Sequence, residues 1–215
     1  MNTNRKILIA VLSLLALALL VFGATSFTQR AGYWPGMMGT YTTNRSVGMM
    51  GGYAYYGNDV ETKTEAELQT DIQTAQANAQ VDEAANTVTY TGNDIKIVML
   101  GGPEEADEKF VVAGLVNPTI YLPKDTTVTL EFVNADEGMP HAFEITTAGP
   151  PYYYMAMMSG GVYPGSFIRT LPAANADEYP VAEITFQAGT AGTFYYLCQY
   201  PGHAAEGMYG IIVIE

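Results

Sequence analysis

Near the C-terminus, Cys198, His203 and Met208 stand at equal intervals, with four residues between each and the next. A thiolate, an imidazole and a thioether on one short segment are the soft and borderline donors that suit copper. Cys198 is the only cysteine, so the chain can form no internal disulfide. A His₂Cys site needs a second imidazole, and only His141, in Gly138-Met-Pro-His-Ala-Phe-Glu-Ile145, can supply it. A lone histidine is more often a satisfied core or surface residue. Here both histidines, the single cysteine and a methionine fit one copper geometry together, and that reverses the balance.

The elements around these residues must bring them to one point. Residues 193–197 and 209–214 are aromatic and β-branched runs and read as strands. If they are neighbours in one sheet, Cys198 ends one strand, Met208 opens the next, and the loop folds back over a common centre. Pro201 and Gly202 restrict and then free the backbone just before His203.

The segment Gly192-Thr-Phe-Tyr-Tyr-Leu-Cys-Gln-Tyr-Pro-Gly-His-Ala-Ala-Glu-Gly-Met-Tyr-Gly resembles the C-terminal copper loop of the rusticyanins, a family of high-potential blue copper proteins. Asn134, Gly138-Met-Pro-His-Ala-Phe-Glu-Ile-Thr and Gly149-Pro-Pro-Tyr152 resemble that family's first-histidine region, as does the earlier run Thr87-Val-Thr-Tyr-Thr-Gly92. The likeness extends over residues 61–215. It implies an all-β, cupredoxin-like Greek-key sandwich binding one type 1 copper per chain. His141, Cys198 and His203 would be the equatorial ligands and Met208 the weak axial one. It also implies that Asn134 ties the two ligand loops together by hydrogen bonding. Cupredoxins usually carry a polar residue after the first histidine, where this chain has Ala142.

The rest of the chain divides into three parts. Residues 1–24 hold Arg5 and Lys6, followed by a run of seventeen uncharged residues, 7–23. They read as an N-terminal membrane anchor or signal, with the anchor preferred. Charge bias then places the copper domain on the extracytoplasmic side of a single-pass cell membrane protein. The small residues Gly23-Ala-Thr-Ser26 leave cleavage open. Residues 25–58 are rich in Gly, Tyr and Met without apolar periodicity, and read as a flexible tether with a reach of about 30 Å. Its paired methionines, Met37-Met38 and Met49-Met50, suggest a linker lying on a surface, with Cu(I) binding for loading as the other reading. Residues 59–215 are the copper-binding domain.

All 22 acidic residues lie at or beyond Asp59, against five basic ones, so the domain carries about −17 while the first 58 residues carry +4. That balance argues against nucleic acid or an anionic membrane surface as a direct partner of the domain. Thr64 to Glu67 has capping-box spacing, and Leu68, Ile72, Ala75 and Ala79 recur on one face. A short helix ending near Gln80 should therefore pack on the sandwich. Strands are expected at 87–90, 95–100, 110–115, 126–134 and 181–187, with Val128, Leu130 and Phe132 facing inward from the fourth. Residues 145–168 carry no charge but hold six methionines and tyrosines from Tyr152 to Met158, and Tyr163 beyond. They suggest an apolar rim for docking, a cover that excludes water, or both.

Two histidines are too few for a multicopper enzyme, and one cysteine is too few for a dinuclear copper centre. The expected function is electron transfer by one copper cycling between Cu(I) and Cu(II), in a respiratory or iron-oxidising chain. A cytochrome or terminal oxidase would be the redox partner, and the domain would be monomeric. Extracytoplasmic copper delivery is the alternative.

Overall fold

A computed structural model describes residues 60–156, 162–163 and 165–215. They form two β-sheets and one α-helix. The first sheet has the strand order β1 (Glu61–Lys63), β11 (Tyr179–Gln187), β8 (Thr127–Asn134), β4 (Asp94–Gly101), β5 (Phe110–Val112), β6 (Leu115–Val116). The second runs β10 (Phe167–Leu171), β9 (His141–Thr146), β12 (Gly192–Leu197), β13 (Tyr209–Ile214), β7 (Thr119–Leu122), β3 (Thr87–Tyr90), β2 (Ala79–Asp82). Most neighbours are antiparallel, but β4 runs parallel to β8, and β7 runs parallel to both β3 and β13.

Alternation explains the core. Val128, Leu130 and Phe132 of β8 are completely buried with Ile95, Ile97 and Met99 of β4, and they meet Phe143, Tyr196 and Ile212 of the other sheet. Phe110 sits at the centre, edge-on to Phe132, Phe143 and Tyr196. Such contacts add to the burial of large aromatic surfaces.

The helix, α1 (Glu65–Gln76), begins with the expected capping box. The Thr64 side chain accepts from the Glu67 backbone N–H, and the Glu67 carboxylate accepts from the Thr64 N–H. Leu68 and Ala75 pack on Val98, Val133 and Val181 of the first sheet. The helix stops at Gln76, short of the expected Gln80. From Ala79 the chain instead pairs antiparallel with β3, so ladder hydrogen bonds replace the last helical turn. The expected strand 110–115 is likewise divided. Ala113 and Gly114 adopt positive φ angles of 51° and 83°, making a tight turn between β5 and β6.

The single-pass membrane location is corrected. Among the described residues no helix is long and apolar enough to cross a membrane. The 12 residues of α1 span only about 18 Å, against about 30 Å of hydrocarbon. The run 7–23, the tether 25–58 and the methionine pairs lie outside the described residues, as do Met157 and Met158.

Candidate metal centre

Strands β12 and β13 form a hairpin whose last pair is Leu197 with Tyr209, leaving residues 198–208 as its loop. The loop closes on itself. The Cys198 N–H donates to the Met208 carbonyl at 3.1 Å, and the Met208 N–H donates to the His203 carbonyl at 2.8 Å. Gly202 makes the bend before His203 with φ of 91°, a conformation that a side chain disfavours. Asn117 fixes the loop from outside, accepting from the Phe110 N–H and donating to the Gly207 carbonyl, both at 2.9 Å.

His141 arrives from the neighbouring strand. Since β9 runs antiparallel to β12, with Glu144 opposite Leu197, the start of β9 lies beside the end of β12. Three of the four expected ligands thereby converge. Cys198 Sγ lies 3.8 Å from His141 Nδ1 and 3.6 Å from His203 Nδ1, and the two Nδ1 atoms are 3.0 Å apart. His141 and Cys198 are completely buried and His203 almost so. Met208 is also completely buried, in the same apolar cluster as Cys198.

These separations suit a metal. An ion bonded at about 2.0 Å to each nitrogen and about 2.3 Å to sulfur, ordinary lengths for such ligands, holds its donors some 3–4 Å apart. The donor chemistry, one thiol and two imidazoles with a buried thioether on the same loop, is that of a single type 1 copper.

Electrostatics keeps the donors neutral until a metal arrives. Burial pushes the Cys198 thiol up to about 12, although N–H groups of Ala142 and Tyr200 pointing at the sulfur pull the other way. Burial, with the neighbouring His141, depresses His203 to about 4. His141 is also lowered by burial, against the pull of Asp136. Neutral imidazoles with free lone pairs are what a metal requires.

Asp136 orients His141. One of its carboxylate oxygens lies 3.0 Å from His141 Nε2, and the other accepts the Gly138 and Met139 N–H groups at 2.7 and 2.9 Å. With Nε2 donating to the carboxylate, the Nδ1 lone pair faces Cys198. Burial works to raise the Asp136 carboxyl, but these three hydrogen bonds outweigh it and hold it below the usual range. Gly102 leaves room for the pair: a Cβ there would stand 2.5 Å from His141 Nε2 and 2.8 Å from the Asp136 carboxylate.

Sequence reasoning gave the bracing role to Asn134, and here the structure differs. The Asn134 amide donates to Met139 O at 2.9 Å and Pro172 O at 2.7 Å, joining the His141 loop to the end of β10 rather than to the Cys198 loop. The two ligand loops meet instead through the Ala142 N–H, which donates to Cys198 Sγ at 3.4 Å, and through the side chains of Gln199 and Glu144.

The segment 152–156 lies against the loop. Ala156 packs on Leu197 and Ala204, Tyr152 stands edge-on to Tyr209, and the Tyr154 carbonyl accepts the Gly202 N–H at 2.8 Å. Tyr153 and Tyr154 are 88% and 67% exposed, so the segment covers the loop on one side and presents aromatic surface on the other.

A two-sheet β fold with His, Cys and His converging at one end and a buried Met on the same loop defines a blue copper protein of the cupredoxin class. The chain is 37% identical to a rusticyanin of Acidithiobacillus ferrooxidans over 133 residues, 61% of this chain and 69% of that one. It is 36% identical to a rusticyanin of Acidithiobacillus ferridurans over the same shares. A solved structure of rusticyanin from Thiobacillus ferrooxidans superposes with a TM-score of 0.64 at 31% identity, covering 72% of this chain and 96% of that one. The chain belongs to the rusticyanin family. No model of a protein family matches it.

Proposed function

We propose that the chain is an electron carrier whose copper would be held by His141, Cys198 and His203, with Met208 as a weaker fourth donor. The convergence of three buried donor atoms, one at the start of β9 and two on the loop between β12 and β13, carries this reading. A copper ion bound there supplies one-electron chemistry between Cu(I) and Cu(II).

The protein's part is to hold the donors still. Cys198 and Met208 are fixed by the hydrogen bond from the Cys198 N–H to the Met208 carbonyl at the mouth of the hairpin, and His141 by Asp136. Their burial excludes water and a substrate alike, which suits a carrier rather than an enzyme. Electrons would pass to and from protein partners, a cytochrome or a terminal oxidase in a respiratory or iron-oxidising chain. The exposed Tyr153 and Tyr154 beside the copper loop support a contact there. Glu206 on the loop and Glu108 near it, whose carboxyl is raised by burial and by its hydrogen bond with Glu206, give that edge an acidic border.

The decisive experiment is to load residues 59–215 with copper and record the visible spectrum. The expected result is one copper per chain and an intense thiolate-to-copper band, abolished by Cys198→Ser. A Ser variant that kept the band would remove Cys198 from the site.

A further inference from the structure

Glu144 is a carboxyl group that the copper reading leaves without a role. It lies in β9, three residues after His141, and is 1% exposed. Strand alternation sets it on the face opposite Phe143 and Ile145, which belong to the core. Across the sheet it stands opposite Leu197, the residue before Cys198. Its carboxylate accepts from Gln199 Nε2 at 2.5 Å, and Gln199 is the residue after Cys198. Burial pushes its carboxyl up, and the bond from Gln199 offsets only part of that.

A carboxyl group in such a place is costly unless it is hydrogen-bonded, so its retention calls for a use. One is apparent from its position. His141 opens β9 and Cys198 opens the loop after β12. Beside the Ala142 N–H contact to the sulfur, the Glu144–Gln199 bond links the first histidine's strand to the cysteine's loop, side chain to side chain. Cα pairing fixes the strands only as far as Leu197; beyond it the backbone turns away into the loop. Gln199 is the first side chain past Cys198 that reaches back to β9.

We propose that Glu144 is a positioning residue of the copper centre, acting through Gln199 to hold Cys198 at its distance from His141. The proposal rests on the reading of the centre given above. It requires an acceptor at position 144 and a donor at position 199, and it assigns no contact between Glu144 and the metal. An outer residue that sets the position of a ligand changes the metal's spectrum and affinity as well as the fold's stability.

The test uses the full chain loaded with copper, carrying E144L, E144Q, Q199L or the double substitution E144L/Q199L. Leu removes the acceptor, whereas Gln keeps an amide oxygen facing Gln199. E144L and Q199L are each expected to shift the charge-transfer band and the reduction potential in the same direction. Each should also speed copper loss to a chelator by at least about tenfold. The double variant should go no further than either single one, and E144Q should keep the wild-type band. Should E144L fail to fold, Q199L carries the test, since position 199 is only partly buried. A wild-type band that Q199L leaves unmoved overturns the brace alone, as does a double variant whose shift is the sum of the two. A wild-type chain that takes up copper without a thiolate band overturns the reading of the centre, and the brace with it.

Discussion

At the scale of residues, the four proposed ligands play unequal parts, and substitution separates them. Met208→Leu should keep copper and colour but raise the reduction potential, because a donor that favours Cu(II) is lost from the axial position. His141→Ala should open the plane and release the metal far more readily, as equilibrium dialysis would show. Equal copper loss in the two variants would reverse the assigned roles. Asp136 acts one step further out. Asp136→Ala should weaken copper binding by about 10- to 100-fold, since the His141 ring loses the partner that fixes its tautomer. Asp136→Asn, which keeps an acceptor, should lose much less. The donors were legible in the sequence because they are scarce: one cysteine and two histidines leave little choice. Asp136 and Glu144 were not, because they are two among 22 acidic residues. Glu144 is distinguished by a partner folded in from elsewhere in the chain, Gln199, and Asp136 by a local turn that lays its carboxylate against His141 five residues on.

At the scale of elements, β1 and α1 are held to the sandwich by charge as well as by apolar contact. Lys63 of β1 and Lys96 of β4 each contact Asp71 of α1 and the almost fully buried Glu131 of β8, at 2.6–3.2 Å. Glu131 therefore faces away from the core, as the alternation of β8 requires, yet it lies buried under the N-terminal elements. Glu131→Gln leaves two ammonium groups sharing one carboxylate and should destabilise the domain by about 1.5–3 kcal/mol in urea unfolding. The pH dependence follows from the direction of the shifts. For Asp71, burial opposes ionisation, but the two lysines outweigh it and hold the carboxyl below 3.8. Its contribution is present above that value and is lost as pH falls through the lower folded-state value. Lys63 and Lys96 are raised above 10.5, where burial alone would lower them, so their contribution is lost only in strong alkali. Asp71→Asn should accordingly flatten the fall in thermal stability below about pH 4, near the carboxylate value in unfolded chains. The helix was legible from its capping box and apolar face. Its end was not, because whether residues 77–80 continue a helix or join a hairpin depends on a strand further along the chain.

At the scale of the whole molecule, metal uptake and proton balance are linked. The Cys198 thiol is neutral in the folded chain at ordinary pH, and a metal takes it as thiolate. Copper binding near pH 7 should therefore release about one proton per ion into weakly buffered solution, and Cys198→Ser should abolish the release. The two-sheet architecture was legible from period-two alternation, but the partnership of strands was less so. The strands β7 and β10 are only four and five residues long, too short for their pattern to stand out, and the place of β7 is set by β3 and β13, both remote in sequence. The arrangement of the copper hairpin has one more consequence. Its two strands are locked in register from Gly192–Ile214 to Leu197–Tyr209, so that ladder ends where the loop begins. The loop thus hangs from a fixed mount, and a change in its length would strain the metal donors and the anchors at Asn117 and Tyr154 before it disturbed the sheet behind them.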